Sequence, residues 1–141
     1  MTFRHFFVSA AALLALAGAA AAQTGCALTV EPARLSVKRT ENPEYRLKVK
    51  LPPGCHTNSH QPNDADLIPL RLTWNAGALT AGAVTFPKPE LEKYSFSEKP
   101  LSVFSGEFEI VTQFTRKATA APGPAMLSGK LRYQACNDGM C

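Results

Sequence analysis

Two cysteines close the segment Tyr133-Gln134-Ala135-Cys136-Asn137-Asp138-Gly139-Met140-Cys141. Such a pair can be a static clip on a turn, or it can cycle between dithiol and disulfide. Chain entropy bears on the choice. A six-residue ring removes only roughly 2 kcal/mol of unfolded-state freedom, whereas a Cys26–Cys55 bridge of about thirty residues would remove ~3.6 kcal/mol. The terminal pair is the poorer staple and the better placed for redox chemistry. Asn137, Asp138 and Gly139 are turn formers, and a short loop built on them sets Cys136 and Cys141 in direct antiparallel opposition. Their Cα atoms would then lie about 4.5 Å apart, at the short end of the disulfide range. Both thiols would be exposed at one end of the fold, as exchange through a mixed disulfide requires. Cys141 carries the α-carboxylate of the sequence, which disfavours its own thiolate, so Cys136 is expected to react first. On spacing alone the static clip remains the alternative.

A second constellation is Cys55-His56-x3-His60, with Met140 elsewhere. These are ligand types of a copper or zinc site. Both histidines fall in a Pro/Gly/Asn-rich stretch, expected to be a loop without fixed ligand spacing. A structural or surface role is therefore expected for them, and neither a metal nor another cofactor. Four cysteines allow three pairings. Proximity favours Cys136–Cys141 and leaves Cys26–Cys55 as a structural bridge; an unpaired Cys55 beside a histidine would instead be a reactive thiol. Hydrolase chemistry fails on inventory, because the three histidines include His5 near the start and no nucleophile motif has a positioned base. The chain has 15 Lys and Arg against 11 Asp and Glu, a formal net charge of +4. That mild excess is spread along alternating positions, which argues against nucleic-acid binding.

The elements that must hold these residues read as strands. Tyr45-Arg46-Leu47-Lys48-Val49-Lys50-Leu51 alternates apolar and basic side chains, the period of a half-buried strand. Ile68, Leu70, Leu72 and Trp74 repeat it, with Pro69 marking an edge or bulge at the start and Trp74 a core residue. Phe108, Ile110 and Phe114 mark a third strand, and Leu131, Tyr133 and Ala135 a last one running up to Cys136. Shorter candidates are Leu28–Val30, Arg34–Val37, Val84–Phe86 and Ser102–Phe104. Turn formers separate them, among them Asn42-Pro43, Pro52-Pro53-Gly54, Gln61-Pro62-Asn63-Asp64, Pro87-Lys88-Pro89 and Ser105-Gly106. The segment from Lys117 to Ala125 reads as a surface loop. No stretch keeps a helical period. About seven or eight short strands at this spacing predict an all-β fold, a β-sandwich.

Residues 1–22 read as an export signal. Arg4 and His5 precede an apolar run, Phe6 to Ala17, too short to span a bilayer, and Ala20-Ala21-Ala22 supplies small residues for cleavage before Gln23. Gln23-Thr24-Gly25 fits a lipid-attachment site at Cys26 poorly, and no second apolar run follows, so no stable membrane anchor is expected. Residues 23–141 then form one domain of about 119 residues, enough for a single core. An exported chain with four cysteines belongs in an oxidising compartment.

The segment from Tyr133 to Cys141 resembles the active-site segment of the N-terminal domain of the thiol:disulfide interchange protein DsbD. The resemblance extends to Gly54-Cys55-His56-Thr57-Asn58-Ser59-His60 with Pro62 and Leu67-Ile68-Pro69. It continues through Phe86-Pro87-Lys88-Pro89, Tyr94-Ser95-Phe96 and Val103-Phe104-Ser105-Gly106. It implies an immunoglobulin-like sandwich in the periplasm, with Cys136 and Cys141 as the redox pair and no bound cofactor. It also implies a cap loop over the sulfurs, for which Tyr94 and Phe96 fall in the corresponding stretch. The implied partners are thioredoxin-like periplasmic proteins of the disulfide isomerase or cytochrome c maturation type, with a membrane reductase as the electron source. Family members usually continue past the second cysteine with a Pro-Pro pair and another strand, so the sequence is expected to be a truncated, free-standing version. It holds neither a membrane reductase domain nor a Cys-x-x-Cys thioredoxin fold, so that reductase is expected to be a separate protein. The rival readings are a non-catalytic interaction or scaffold domain with a structural terminal disulfide, and a periplasmic metal-binding protein.

Overall fold

Alternating side chains place one apolar row and one charged row on each long strand, and the apolar rows must face one another to leave water. The computed structural model describes residues 25–32, 37–38 and 41–141. The candidate leader, residues 1–22, and residues 34–36 of the strand expected over Arg34–Val37 lie outside the described residues. In chain order the strands are β1 (Thr29–Glu31), β2 (Val37–Lys38), β3 (Glu44–Lys50), β4 (Cys55–Asn58), β5 (Arg71–Asn75) and β6 (Leu79–Thr85). They continue as β7 (Glu90–Glu92), β8 (Leu101–Ser105), β9 (Glu107–Arg116), β10 (Pro124–Ala125), β11 (Ser128–Arg132) and β12 (Ala135–Asn137). The described residues contain no helix, and the fold is the expected all-β, immunoglobulin-like sandwich. The strand count exceeds the expected one because several strands are only two or three residues long, and because β4 and β7 carry no alternating apolar signal.

One layer is the sheet β1-β3-β9-β6, all antiparallel, with β3 paired to β9 from Glu44↔Gln113 to Lys50↔Glu107. The other is the pair β11-β5 together with the sheet β12-β4-β8-β7. Strands β2 and β10 form a separate two-stranded pair, so the loop expected from Lys117 to Ala125 ends in a short strand. The core lies between the layers. Leu47, Val49 and Ile110 come from the first layer, and Leu70, Leu72 and Phe104 from the second. Each side chain buried there contributes about 1.5–3 kcal/mol. Trp74 packs edge-on against Phe114 with ring centroids 5.1 Å apart, and its indole N–H donates to Thr112 Oγ1 at 3.1 Å. Across the strand pair, Gly129 faces Trp74, where a Cβ would come within 2.8 Å of the indole ring. The charged row of β3 is matched by acids: Arg46 pairs with Glu44 at 2.6 Å and Glu109 at 3.3 Å, and Lys48 with Glu107 at 3.5 Å.

Two expectations change. The last strand does not run unbroken into Cys136. Gln134 interrupts it, with its backbone carbonyl accepting from Asn58 N–H at 3.4 Å. Its side-chain Oε1 accepts from Asn58 Nδ2 at 2.8 Å and from Ile68 N–H at 3.1 Å. The chain thereby leaves β5, the partner of β11, for β4, the partner of β12. Of the two histidines expected in a loop, His60 lies in a bend after the strand, but His56 does not. Residues Cys55–Asn58 form β4, buried on both faces between β12 and β8. A strand covered on both faces need not alternate, and a polar one gives no hydrophobic pattern to read.

Candidate functional site

The register of β12 on β4 sets the site. Cys136 lies directly opposite His56, and Asn137 opposite Cys55. Beyond β12 the chain reverses through an Asx turn, in which Asn137 Oδ1 accepts from the N–H groups of Gly139 and Met140, both at 2.9 Å. Asn137 N–H donates in turn to the Met140 carbonyl at 3.0 Å. Asn137 is thus the organising residue of the turn. Gly139 is not one of the positive-φ glycines. The reversal brings the Cys136 and Cys141 Cα atoms to 4.3 Å, and the two are disulfide-bonded.

Cys26 and Cys55 form the other disulfide, with Cα atoms 5.5 Å apart and a sequence separation of 29. Both are buried, packed with Leu51. This bridge ties the segment before β1 to the start of β4, one residue from His56. It consumes Cys55, and His60 stacks on Phe86 at 4.5 Å, so Cys55, His56 and His60 do not form a common ligand set.

Exposure divides the terminal pair. Cys136 is fully buried and Cys141 is exposed, which corrects the expectation that both thiols would be open to a partner. The buried side is built by His56, itself only 2% exposed. One ring nitrogen of His56 and the two sulfurs all lie within 4.8 Å of one another. Its Nε2 is buried with no hydrogen-bond partner. Tyr94 stacks on the imidazole at 4.0 Å, and Phe96 stacks on Tyr94 at 5.4 Å. The Tyr94 hydroxyl donates to Glu92, and Ser95 Oγ donates to the Asp138 carbonyl at 3.1 Å. The loop carrying Tyr94 and Phe96 is therefore fastened to the turn between the two cysteines. His56 at the sulfurs, Ser95 on the turn between them and Glu92 behind Tyr94 were not expected. Pairing of β4 with β12 brings His56 there, and such pairing leaves no mark in one sequence.

Burial pushes the His56 imidazole below its ordinary value, against the opposing pull of Glu92 and Asp138, so at neutral pH it is uncharged. Burial, with the hydrogen bond to Glu92, pushes the Tyr94 phenol well above its usual range. The first shift has a consequence for stability. A folded-state value below the unfolded value of about 6.5 means that the unfolded chain binds more protons in the interval between them. The His56 contribution is fully present above about pH 6.5 and is lost as pH falls through the folded value. Urea unfolding at pH 7.5 and pH 5 is expected to show lower stability at pH 5, with a smaller difference in His56→Gln. An equal difference in the two proteins would contradict this.

With this geometry in place, the comparison with known families can be read. The family described as "Thiol:disulfide interchange protein DsbD, N-terminal" matches residues 26–141. The chain belongs to that family. Neither the curated proteins nor the solved structures yield a match. The matched residues run from the first cysteine of the Cys26–Cys55 bridge to Cys141, so both disulfides of this DsbD N-terminal domain lie within the family region. Among the described residues no helix is long and apolar enough to cross a membrane.

Proposed function

We propose that this DsbD N-terminal domain is a periplasmic thiol–disulfide carrier. It takes two electrons from a membrane reductase through a thioredoxin-like partner and hands them to thioredoxin-like proteins of the disulfide isomerase or cytochrome c maturation type. Residues 1–22 are the export signal and residues 23–141 the working domain. The observation that carries this reading is the split environment of the Cys136–Cys141 disulfide, one sulfur residue buried beside the His56 imidazole and the other exposed. A clip needs no such division.

In the reducing half-cycle a partner thiolate attacks Cys141 Sγ, and the Cys136–Cys141 bond breaks as a mixed disulfide forms. Cys136 leaves as a thiolate beside His56, inside the fold, and takes up one proton. The partner's second thiolate then attacks its own mixed-disulfide sulfur and releases Cys141, which takes up the second. The dithiol later runs the same steps in reverse on an oxidised acceptor. Exposure, rather than the charge of the α-carboxylate, decides the order, so Cys141 is the first contact and Cys136 the resolving residue. Tyr94 and Phe96 cap the pair until a partner displaces their loop by breaking the Ser95–Asp138 hydrogen bond.

The test is the reduction potential of Cys136–Cys141, read by equilibration against glutathione with mass-tagged thiols. A value between about −270 and −180 mV is expected, the range of exchange-active oxidoreductases. A value well below about −300 mV, or a pair reducible only on unfolding, would make the disulfide a structural clip and the domain an interaction module.

A further inference from the structure

The sulfur pair and His56 together hold the donor set of a soft-metal site. The three donor atoms lie within 4.8 Å of one another while the sulfurs are still joined. Reduction frees the sulfurs to part around a cation. With metal–sulfur bonds of about 2.3 Å and a metal–nitrogen bond of about 2.0 Å, three donors around one ion sit roughly 4 Å apart. The imidazole nitrogen already lies within reach of both sulfurs, and the bonded sulfurs must part to that spacing, which the short turn after Asn137 has to allow.

His56 is suited to the third position by what it lacks. Its Nε2 is buried without a hydrogen-bond partner, in a side chain only 2% exposed. A buried polar atom of that kind costs stability unless something satisfies it. Tyr94 covers the face of the ring at 4.0 Å, but a metal binds in the ring plane, along a nitrogen lone pair, so stacking does not block it. The backbone pairing of β12 with β4 fixes the imidazole opposite Cys136 before any ion arrives. His60 also has a buried ring nitrogen without a partner, but it lies outside the sulfur cluster, and Cys55 is bonded to Cys26.

We propose that the reduced domain binds one monovalent copper ion through Cys136 Sγ, Cys141 Sγ and a ring nitrogen of His56. Two thiolates select a soft ion, imidazole suits copper, and three donors match a coordination number that d10 Cu(I) accepts readily. The balance is simple. A dithiol donor of the thioredoxin-like class supplies two electrons and two protons, opening the disulfide to two thiols. Cu(I) displaces those two protons and stays monovalent. The oxidised domain has no thiolate to offer, so copper binding and disulfide exchange exclude one another on the same atoms.

This rests on the exchange reading in one respect: the pair must open in the folded protein. The experiment separates the two. The folded wild-type protein is reduced anaerobically with a phosphine and its free thiols are counted by mass tagging, then it is titrated with Cu(I) against bicinchoninate. One copper per reduced chain is expected, and none in the oxidised protein. Copper-edge X-ray absorption of the wild-type complex is expected to show two sulfurs and one nitrogen. His56→Gln is expected to weaken binding at least about tenfold with both thiols intact. If no Cys136 and Cys141 thiols appear in the folded protein, the exchange reading and the copper site fall together. If the thiols appear but copper is not bound, is bound by sulfur alone, or is bound equally well by His56→Gln, the copper site falls and exchange stands.

Discussion

Cys136→Ser, with Cys141 left as the lone thiol of the pair, is expected to stop turning over and to accumulate a mixed disulfide with a thioredoxin whose second cysteine is replaced by serine and whose first is activated as a thionitrobenzoate disulfide. Cys141 is the exposed member, so its thiolate reaches the activated sulfur and displaces thionitrobenzoate, and with no second thiol in either protein nothing resolves the adduct. Exchange is expected to fall by at least about three orders of magnitude, the scale seen when a covalent group is removed from a working unit. Cys141→Ser is expected to lose turnover equally, but without trapping. Its remaining thiol, Cys136, is fully buried beside His56 and beneath the loop of Tyr94 and Phe96. Iodoacetamide should therefore label native Cys136→Ser far faster than native Cys141→Ser, and non-reducing electrophoresis should show the adduct with the first variant alone. The order of attack proposed here is wrong if Cys141→Ser traps thioredoxin as well as Cys136→Ser does.

Loss of the Cys26–Cys55 bridge carries the largest expected cost in stability. Its sequence separation of 29 closes a long loop, and the chain-entropy formula gives about 3.6 kcal/mol for it against roughly 2 kcal/mol for the terminal ring. For a domain of this size ~3.6 kcal/mol lowers Tm by about 15 °C. Serine hydroxyls in the buried positions of Cys26 and Cys55 add to the loss. Thermal unfolding of Cys26→Ser/Cys55→Ser and of Cys136→Ser/Cys141→Ser, both against the wild type, measures the two contributions side by side. The first is expected to melt lower. The reverse order would exchange the structural and redox roles of the two bridges.

What the sequence disclosed follows from where physical pattern and local spacing suffice. The alternation through Leu47 and Val49 matches β3, and Ile110 and Phe114 match β9, because each strand has one wet and one dry face. The Cys136–Cys141 closure was legible because five residues and an Asx turn are local chemistry. What stayed hidden was non-local. β4 is short, polar and buried on both faces, so Cys55-His56-Thr57-Asn58 looked like a loop. The change of partner strand at Gln134 depends on hydrogen bonds from Asn58 and Ile68, residues 76 and 66 positions away. The difference in exposure between the two cysteines follows from the same pairing. Charge at the chain end pointed to Cys136 as first reactant, while burial by β4 and the 94–96 loop points to Cys141.

In the exchange role proposed for this domain, the exposure of Cys141 alone also sets how traffic through it is organised. Donor and acceptor have one doorway between them, since each must bond covalently to the same sulfur. They cannot dock together, and electrons cannot pass through a ternary complex. Kinetics of the double-displacement type follow, with parallel lines in double-reciprocal plots and with each partner, in excess of its correct redox form, competing for the seat that the other needs. Such a domain works as a turnstile, and the flow through it is governed by the ratio of reduced to oxidised partners in its compartment.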